Sequence, residues 1–394
     1  MQKIPLIIFD ETLRDGEQQA GLFFNYETKQ SLARLIAQSG VHRIDIMPAI
    51  SETEERLVQS LVKEGFGSII TPATMIGKQF IDQAKACGVE RIILFNAVSD
   101  RLLFLRDPDI RRSVLLHGKT VDDNIPQVIL NHVRQSMVNR VLESLRYATS
   151  EEIGLKVEFA AEDASRADFD FLVQCICEFN PYIEHFMLCD TVGILSPDKT
   201  YGWINNLLKA TNYPPLAVHF HNDLGMALEN TLQALVAGAS MVSGTFGGIG
   251  ERAGNVALDQ VLNGLRLRFG VEVEGIDYDV VARVTDYLTQ VGARAALPYS
   301  NAALRHETGI HINSFLQDPK SYSIFSYEEL EIWFGKCSGA SNFQYLFEKR
   351  LQKTLSRDHY NQMRLAIKSL STKEERCFTT EEVVELFEQG ALNV

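Results

Sequence analysis

Val218-His219-Phe220-His221-Asn222-Asp223 is a short apolar strand that ends in two histidines one residue apart. Side chains alternate along a strand, so His219 and His221 leave the backbone on one face and can offer two imidazoles to a single metal ion. An isolated His-x-His is more often a pair of half-buried histidines, so the stretches around it decide the reading. Leu216 to His221 is one of eight short apolar stretches; the others are Ile4 to Phe9, Arg43 to Met47, Ser68 to Thr71, Arg91 to Phe95, Leu155 to Phe159, Phe186 to Asp190 and Met241 to Thr245. Between them Glu27 to Ser39, Glu52 to Lys63, Gly77 to Ala86, Asp168 to Glu178, Asp198 to Ala210 and Leu224 to Ala237 read as amphipathic helices. Near-continuous apolar strands separated by such helices predict a parallel sheet covered by helices, and eight units predict a (β/α)8 TIM barrel over residues 1–272. A doubly wound open sheet is the alternative.

Composition agrees with a globular chain rather than a disordered or membrane-spanning one. Hydrophobic residues make up 45% and charged residues 23% of 394 residues, and no apolar run approaches the roughly 18 residues of a membrane span. The formal net charge of -13 argues against nucleic acid as a partner. The amino terminus enters a strand directly, without the pattern of a signal peptide, and the six cysteines lack zinc-finger spacing and sit mostly in apolar surroundings. Reduced thiols, a cytoplasmic location and no membrane association are expected.

Barrel chemistry sits at the carboxyl ends of the strands. There the first strand runs into Asp10-Glu11-Thr12-Leu13-Arg14-Asp15-Gly16-Glu17-Gln18 and the sixth into Cys189-Asp190-Thr191-Val192-Gly193. The seventh ends in the two histidines, and the eighth runs into Gly244 through Asn255. A carboxylate, two imidazoles and an amide oxygen suit a divalent cation with positions left open, so Asp15, His219, His221 and Asn255 are the candidate ligands, for Zn, Mn, Mg or Co. Taken singly, Asp15 also reads as a loop carboxylate paired with Arg14, and Asn255 as a helix cap.

These residues resemble the metal-dependent barrel family of the 2-isopropylmalate, citramalate and homocitrate synthases, which also contains the 3-hydroxy-3-methylglutaryl-CoA lyases. The resemblance rests on Glu11-Thr12-Leu13-Arg14-Asp15-Gly16-Glu17-Gln18, His219 through Ala227, Gly250-Glu251-Arg252-Ala253-Gly254-Asn255 and Glu307-Thr308-Gly309-Ile310-His311. The lyase branch carries a Cys in its glycine-rich segment, and Gly247 to Asn255 contains none, so the resemblance favours condensation over cleavage. It implies that Asp15, His219 and His221 bind the metal, that Arg14 lies beside the ketone oxygen of a 2-oxo acid, and that Thr191 lies beside its carboxylate. Gln18 joins the substrate-binding set. The implied reaction is a Claisen condensation with acetyl-CoA followed by thioester hydrolysis, giving CoA and a 2-substituted malate. A metal polarising the keto group and a permanently charged arginine on the developing alkoxide suit that chemistry. In the synthase branch a small-domain histidine reaches the neighbouring subunit's barrel; His311 matches it and is the expected acid/base group, in a homodimer with exchanged C-terminal domains. Glu162 and Arg166, after the fifth strand, are expected to act on the oxo acid or enol. Tyr322 matches a family segment without an assigned role.

One departure bears on specificity. Where isopropylmalate-type synthases continue from Ser-Asp with a histidine two residues on, this chain reads Ser99-Asp100-Arg101-Leu102-Leu103-Phe104 and then an extended stretch through Asp123. Leu102, Leu103 and Phe104 are expected to shape a side-chain pocket for a bulkier or more apolar oxo acid than the common ones, with Asp45, Met47 and Pro48 as another wall; a surface loop without influence on specificity is the alternative. Residues 273–394 read as a smaller, mainly helical domain, with helices at Asp277 to Ala295, Tyr327 to Trp333, Phe343 to Leu351, Arg357 to Lys368 and Thr380 to Gln389. An end at Val394 leaves no expectation of an appended regulatory domain. A lyase on the same scaffold and a non-catalytic metal- or metabolite-binding protein are the competing functions.

Overall fold

The computed structural model describes residues 1–113, 116–323 and 330–392. Eight parallel strands form one sheet: β1 Ile7–Asp10, β2 Arg43–Ile44, β3 Ala73–Met75, β4 Arg91–Ala97, β5 Lys156–Glu162, β6 Phe186–Asp190, β7 Leu216–Phe220 and β8 Met241–Gly244. Their order, β2-β1-β8-β7-β6-β5-β4-β3, is that of a barrel laid open between β2 and β3. The chain closes that seam just ahead of β3, where Ile44 N donates to Ile69 O and Thr71 N to Ile44 O, both at 2.9 Å. Asp45 Oδ1 adds a third link by accepting from Ala73 N at 2.6 Å.

The first and third strands are displaced from the expected bounds, each because of a proline, while the others keep their place and differ only in length. Pro5 lacks the N–H a continuous ladder needs, and the first stretch divides into Gln2–Ile4, paired with Val271–Val273 outside the barrel, and β1. The third strand lies beyond Pro72, while Ser68 to Thr71 supplies the seam bridge. The stretch after β4 is corrected more substantially. It is helical at Asp100–Arg106 and Pro108–Arg112, each capped by a side chain, Ser99 accepting from Leu102 N and Asp107 from Asp109 N and Ile110 N. A long helix, Gln127–Ala148, follows.

The main core lies between the strands and their helices, and a second cluster fills the barrel interior with Phe9, Ala73, Ile93, Met187, Cys189, Ala217 and Met241. A third cluster, including Ile312, Phe334, Phe343, Met363 and Phe378, belongs to the C-terminal segment. Helices Ala340–Gln344, Arg357–Glu374 and Thr380–Glu388 build it. Part of the helix expected from Tyr327 falls outside the described residues, and Glu331–Ile332 form a short parallel pair with Arg305–His306 instead. A buried quartet of charges joins this segment to the barrel. Lys336 Nζ lies 2.5 Å from Glu17 Oε1 and 3.0 Å from Glu54 Oε1, while Lys29 Nζ lies 2.7 Å from Glu17 Oε2 and 2.5 Å from Glu54 Oε2. All six cysteines are free. No described helix is long and apolar enough to cross a membrane.

Candidate metal centre and barrel mouth

The loop after β1 folds back over the mouth. Asp10 accepts from the Thr12 backbone and hydroxyl, and Arg14 N and Gly16 N both donate to Glu11 O, at 3.1 and 3.0 Å. That turn points Asp15 toward the end of β7. The glycine-rich loop after β8 zips onto the same end: Asn222 N donates to Gly254 O and Val256 N to Phe220 O, each at 2.9 Å. Gly250 is required there, since a Cβ would fall 2.3 Å from Asn255 Nδ2 and 3.0 Å from Asp15 Oδ1.

Asp15, His219 and His221 thereby meet, each with a ligand atom within 4.8 Å of the others. The two Nε2 atoms are 3.3 Å apart. His219 Nδ1 faces Ser243 Oγ at 3.2 Å and Glu11 Oε1 at 3.3 Å, and Ser243 also bonds Glu11. Such a carboxylate behind an imidazole orients the other ring nitrogen toward a metal. Burial lowers the pKa of His219 to about 4 and that of His221 well below its ordinary value, which keeps both rings neutral, the form that ligates. Burial alone would raise the Asp15 pKa, but the Arg14 guanidinium outweighs it, with the Asn255 amide adding a hydrogen bond, and together they hold the carboxyl below its ordinary range. Asn255 donates Nδ2 to Asp15 Oδ1 at 2.7 Å and to Ile249 O at 3.1 Å. Its Oδ1 and His221 Nδ1 are buried without a partner. Neutral nitrogens, a carboxylate and an unused amide oxygen fit a divalent cation.

Arg14 spans the centre. Its Nη1 lies 2.8 Å from Asp15 Oδ2, its Nε donates to Asp45 Oδ2 at 2.7 Å, and it also pairs with Glu11. Asp45, fully buried, therefore anchors the arginine and the seam. Thr191 Oγ1 accepts from Asp163 N at 2.8 Å, and its carbonyl accepts from Arg252 Nη2 at 2.5 Å. Gln18, half-buried, ends the turn with its N–H on Asp15 O at 3.0 Å.

A second group faces this centre across the mouth. Glu162 accepts from Arg106 at 2.5 and 2.9 Å and bonds the Tyr322 hydroxyl, which also bonds Arg106. His311 stacks on Tyr322 with ring centroids 3.6 Å apart and planes 19° from parallel, and its Nδ1 lies 2.7 Å from Glu251 Oε2 of the same chain. Arg166 is engaged elsewhere, gripping Asp163 at 2.7 and 2.8 Å and the carbonyls of Lys320 and Ser321 at 2.7 and 2.6 Å, which ties the Tyr322 segment to β5. Leu102 and Phe104 are buried on the helix after β4, Leu102 within the core between strands and helices. The sequence reading missed Arg106 and gave no separate part to Glu11, Ser243 and Glu251. Glu11 and Glu251 stood in plain view within the quoted motifs, whereas Arg106 lay in a stretch misread as extended.

A parallel barrel that brings two histidines, an aspartate and an arginine together at the carboxyl ends of its strands has the donor set of a divalent-cation site where barrel chemistry is placed. The HMGL-like family model matches residues 5–115 and 117–287, and the chain belongs to that family. Among curated proteins it is 34% identical to the homocitrate synthase AksA of Methanosarcina acetivorans, over 81% of this chain and 73% of that protein. It is 33% identical to the 2-isopropylmalate synthase of Sulfolobus acidocaldarius, over 87% and 85% of the two chains, and 31% identical to homocitrate synthase 1 of a Nostoc species, over 98% and 97%. Among solved structures the HMG-CoA lyase of Brucella melitensis shares the fold, with a TM-score of 0.56 at 18% identity over 73% of this chain and 99% of that one.

Proposed function

We propose that this protein is an acyltransferase that condenses acetyl-CoA with a 2-oxo acid, releasing CoA and a 2-substituted malate. The observation that carries the reading is the meeting of Asp15, His219 and His221 under Arg14, in a chain whose similar curated proteins are named homocitrate and 2-isopropylmalate synthases.

A divalent cation held by Asp15, His219 and His221, with the partnerless amide oxygen of the neighbouring Asn255 as a further donor, would supply Lewis acidity toward the keto and carboxylate oxygens of the oxo acid. The chain's own residues do the rest. Arg14 donates to the ketone oxygen as it gains charge, and Asp45 and Asp15 hold the guanidinium in place. Glu162, Tyr322 and His311 form the acid/base group opposite. The acetyl methyl group loses a proton to this group, its carbon bonds to the ketone carbon, and the new alkoxide takes up a proton. Water then adds to the thioester carbonyl, the carbon–sulfur bond breaks, and CoA leaves as the free thiol. A homodimer with exchanged C-terminal segments belongs to the same proposal: the His311–Glu251 contact seen within one chain would then form between two. Six free thiols fit a reducing, cytoplasmic setting.

The test is incubation of metal-loaded protein with acetyl-CoA and a panel of 2-oxo acids while free thiol is followed. Thiol release that needs both substrates supports the proposal; its absence with every acid, alongside cleavage of a 3-hydroxyacyl-CoA, assigns the chain to carbon–carbon bond breaking instead.

A further inference from the structure

The relatives' names divide over one feature of the oxo acid, a distal carboxylate in the homocitrate synthases and a branched alkyl group in the isopropylmalate synthases. The floor of the mouth bears on that division. If the keto and carboxylate oxygens face Arg14, Thr191 and the ligand cluster, the acetyl group must enter beside Glu162, Tyr322 and His311. The third substituent on the ketone carbon is left with the barrel interior. Met47, two residues beyond Asp45, and Phe95 and Ala160 are half-buried against the interior cluster that contains Cys189. Ala160 lies two residues before Glu162 on one strand and so shares its face of the sheet. Phe95 and Ala160 stand opposite each other in register, as do Ala160 and Met187. Ala160 is thus a small, half-buried side chain between two large apolar ones, whereas Ala217, the next small one in the row, is fully buried, and the notch at the mouth lies over Ala160.

The charges at the rim point the same way. Among the described residues each arginine of the mouth is already engaged: Arg14 by Glu11, Asp15 and Asp45; Arg106 by Glu162; Arg166 by Asp163; Arg252 by Asp223 at 2.8 and 3.1 Å. Arg14 is committed to the ketone oxygen in the synthase reading, so a carboxylate lowered into the notch would have to compete for the other arginines with the carboxylates already paired to them, Glu162 on Arg106 foremost. Burying an unpaired anion there is strongly unfavourable, whereas an alkyl or aryl group is favoured.

Building on the synthase reading, we propose that the oxo acid carries an uncharged, apolar side chain of the branched or aromatic kind, seated over Ala160 between Phe95 and Met47, and that 2-oxoglutarate is a poor substrate. Thiol release with acetyl-CoA is measured for pyruvate, 2-oxoisovalerate, phenylpyruvate and 2-oxoglutarate, and binding of the same acids to metal-loaded protein by calorimetry. The expected result is a kcat/KM for at least one apolar acid about 100-fold or more above that for 2-oxoglutarate. In Ala160→Leu the branched and aromatic acids lose about tenfold or more while pyruvate changes little, and Phe95→Ala shifts the preference toward larger acids. A wild-type preference for 2-oxoglutarate, or unchanged rankings in both variants, overturns the proposal and leaves the synthase reading standing. Calorimetric preference for apolar acids without thiol release upholds the subsite and sinks the synthase reading; no binding of any acid sinks both.

Discussion

Replacing Lys336 by methionine tests how the C-terminal segment is held to the barrel. Lys336, with a side chain 11% exposed, is shared between Glu17 and Glu54, whose side chains are 4% and 2% exposed. Burial acts to raise the Glu54 pKa, but Lys29 and Lys336 outweigh it and bring the carboxyl down from 4.5 to about 2. That difference corresponds to about 3 kcal/mol of stability, divided between the two lysines. Removing Lys336 also strips Glu17 of its 2.5 Å partner and leaves two buried carboxylates on Lys29 alone. A total loss of about 3 kcal/mol is expected, at the low end of what breaking a buried ion pair costs. The sign with pH follows from the lowered pKa. This stability is fully present above 4.5, is lost as pH falls toward about 2, and has a narrower range in the variant. Trp333 reports on the junction, since its ring lies 3.0 Å from where a Gly21 Cβ would stand. With Trp203, the other of the two tryptophans, changed to Phe, urea unfolding followed by Trp333 fluorescence measures the loss. Lys336→Met combined with Glu54→Met restores a one-to-one match between Lys29 and Glu17 and is expected to be more stable than Lys336→Met alone. A loss under about 0.5 kcal/mol, the range of ordinary surface substitutions, or a double variant worse than the single by the full cost of Glu54→Met, would refute the reasoning.

Glu11→Gln, behind His219, is expected to weaken divalent-metal affinity about 10- to 100-fold, read by equilibrium dialysis; unchanged affinity would show that the carboxylate does not support the ligand. Tyr322→Phe removes the hydroxyl between Glu162 and Arg106 and is expected to lower kcat about 100-fold or more with little change in KM for the oxo acid; an unchanged kcat would remove Tyr322 from proton transfer. Co-expressed Asp15→Ala and His311→Ala subunits, each inactive alone, are expected to recover about a quarter of wild-type activity if segments exchange in a two-fold dimer. No recovery would mean that His311 serves its own chain's barrel.

The barrel was readable because strands covered on both faces are continuously apolar and their helices are periodic. Where the reading failed, prolines were the cause at Pro5 and Pro72, and overlooked caps at Ser99 and Asp107-Pro108, where the sequence did carry the helix-start signal. The ligand cluster was legible because His219 and His221 share a strand and Asp15 ends another. Partnerships across long separations were not. Arg106 and Glu162 are 56 residues apart, and Lys336 and Glu54 are 282 apart. Nothing local in either member marks the other. Asp45 read as a wall of the substrate pocket and Arg166 as a group near the oxo acid, and only the fold shows that Asp45 also anchors Arg14 and that Arg166 also clamps the Lys320 and Ser321 carbonyls.

The two oxygens of Asp45 serve separate masters. Oδ2 holds the Arg14 guanidinium, and Oδ1 takes the Ala73 amide across the last joint of the ring. One carboxylate thus couples the aim of the guanidinium to the closure of the ring, and a change that loosens either joint is felt at the other.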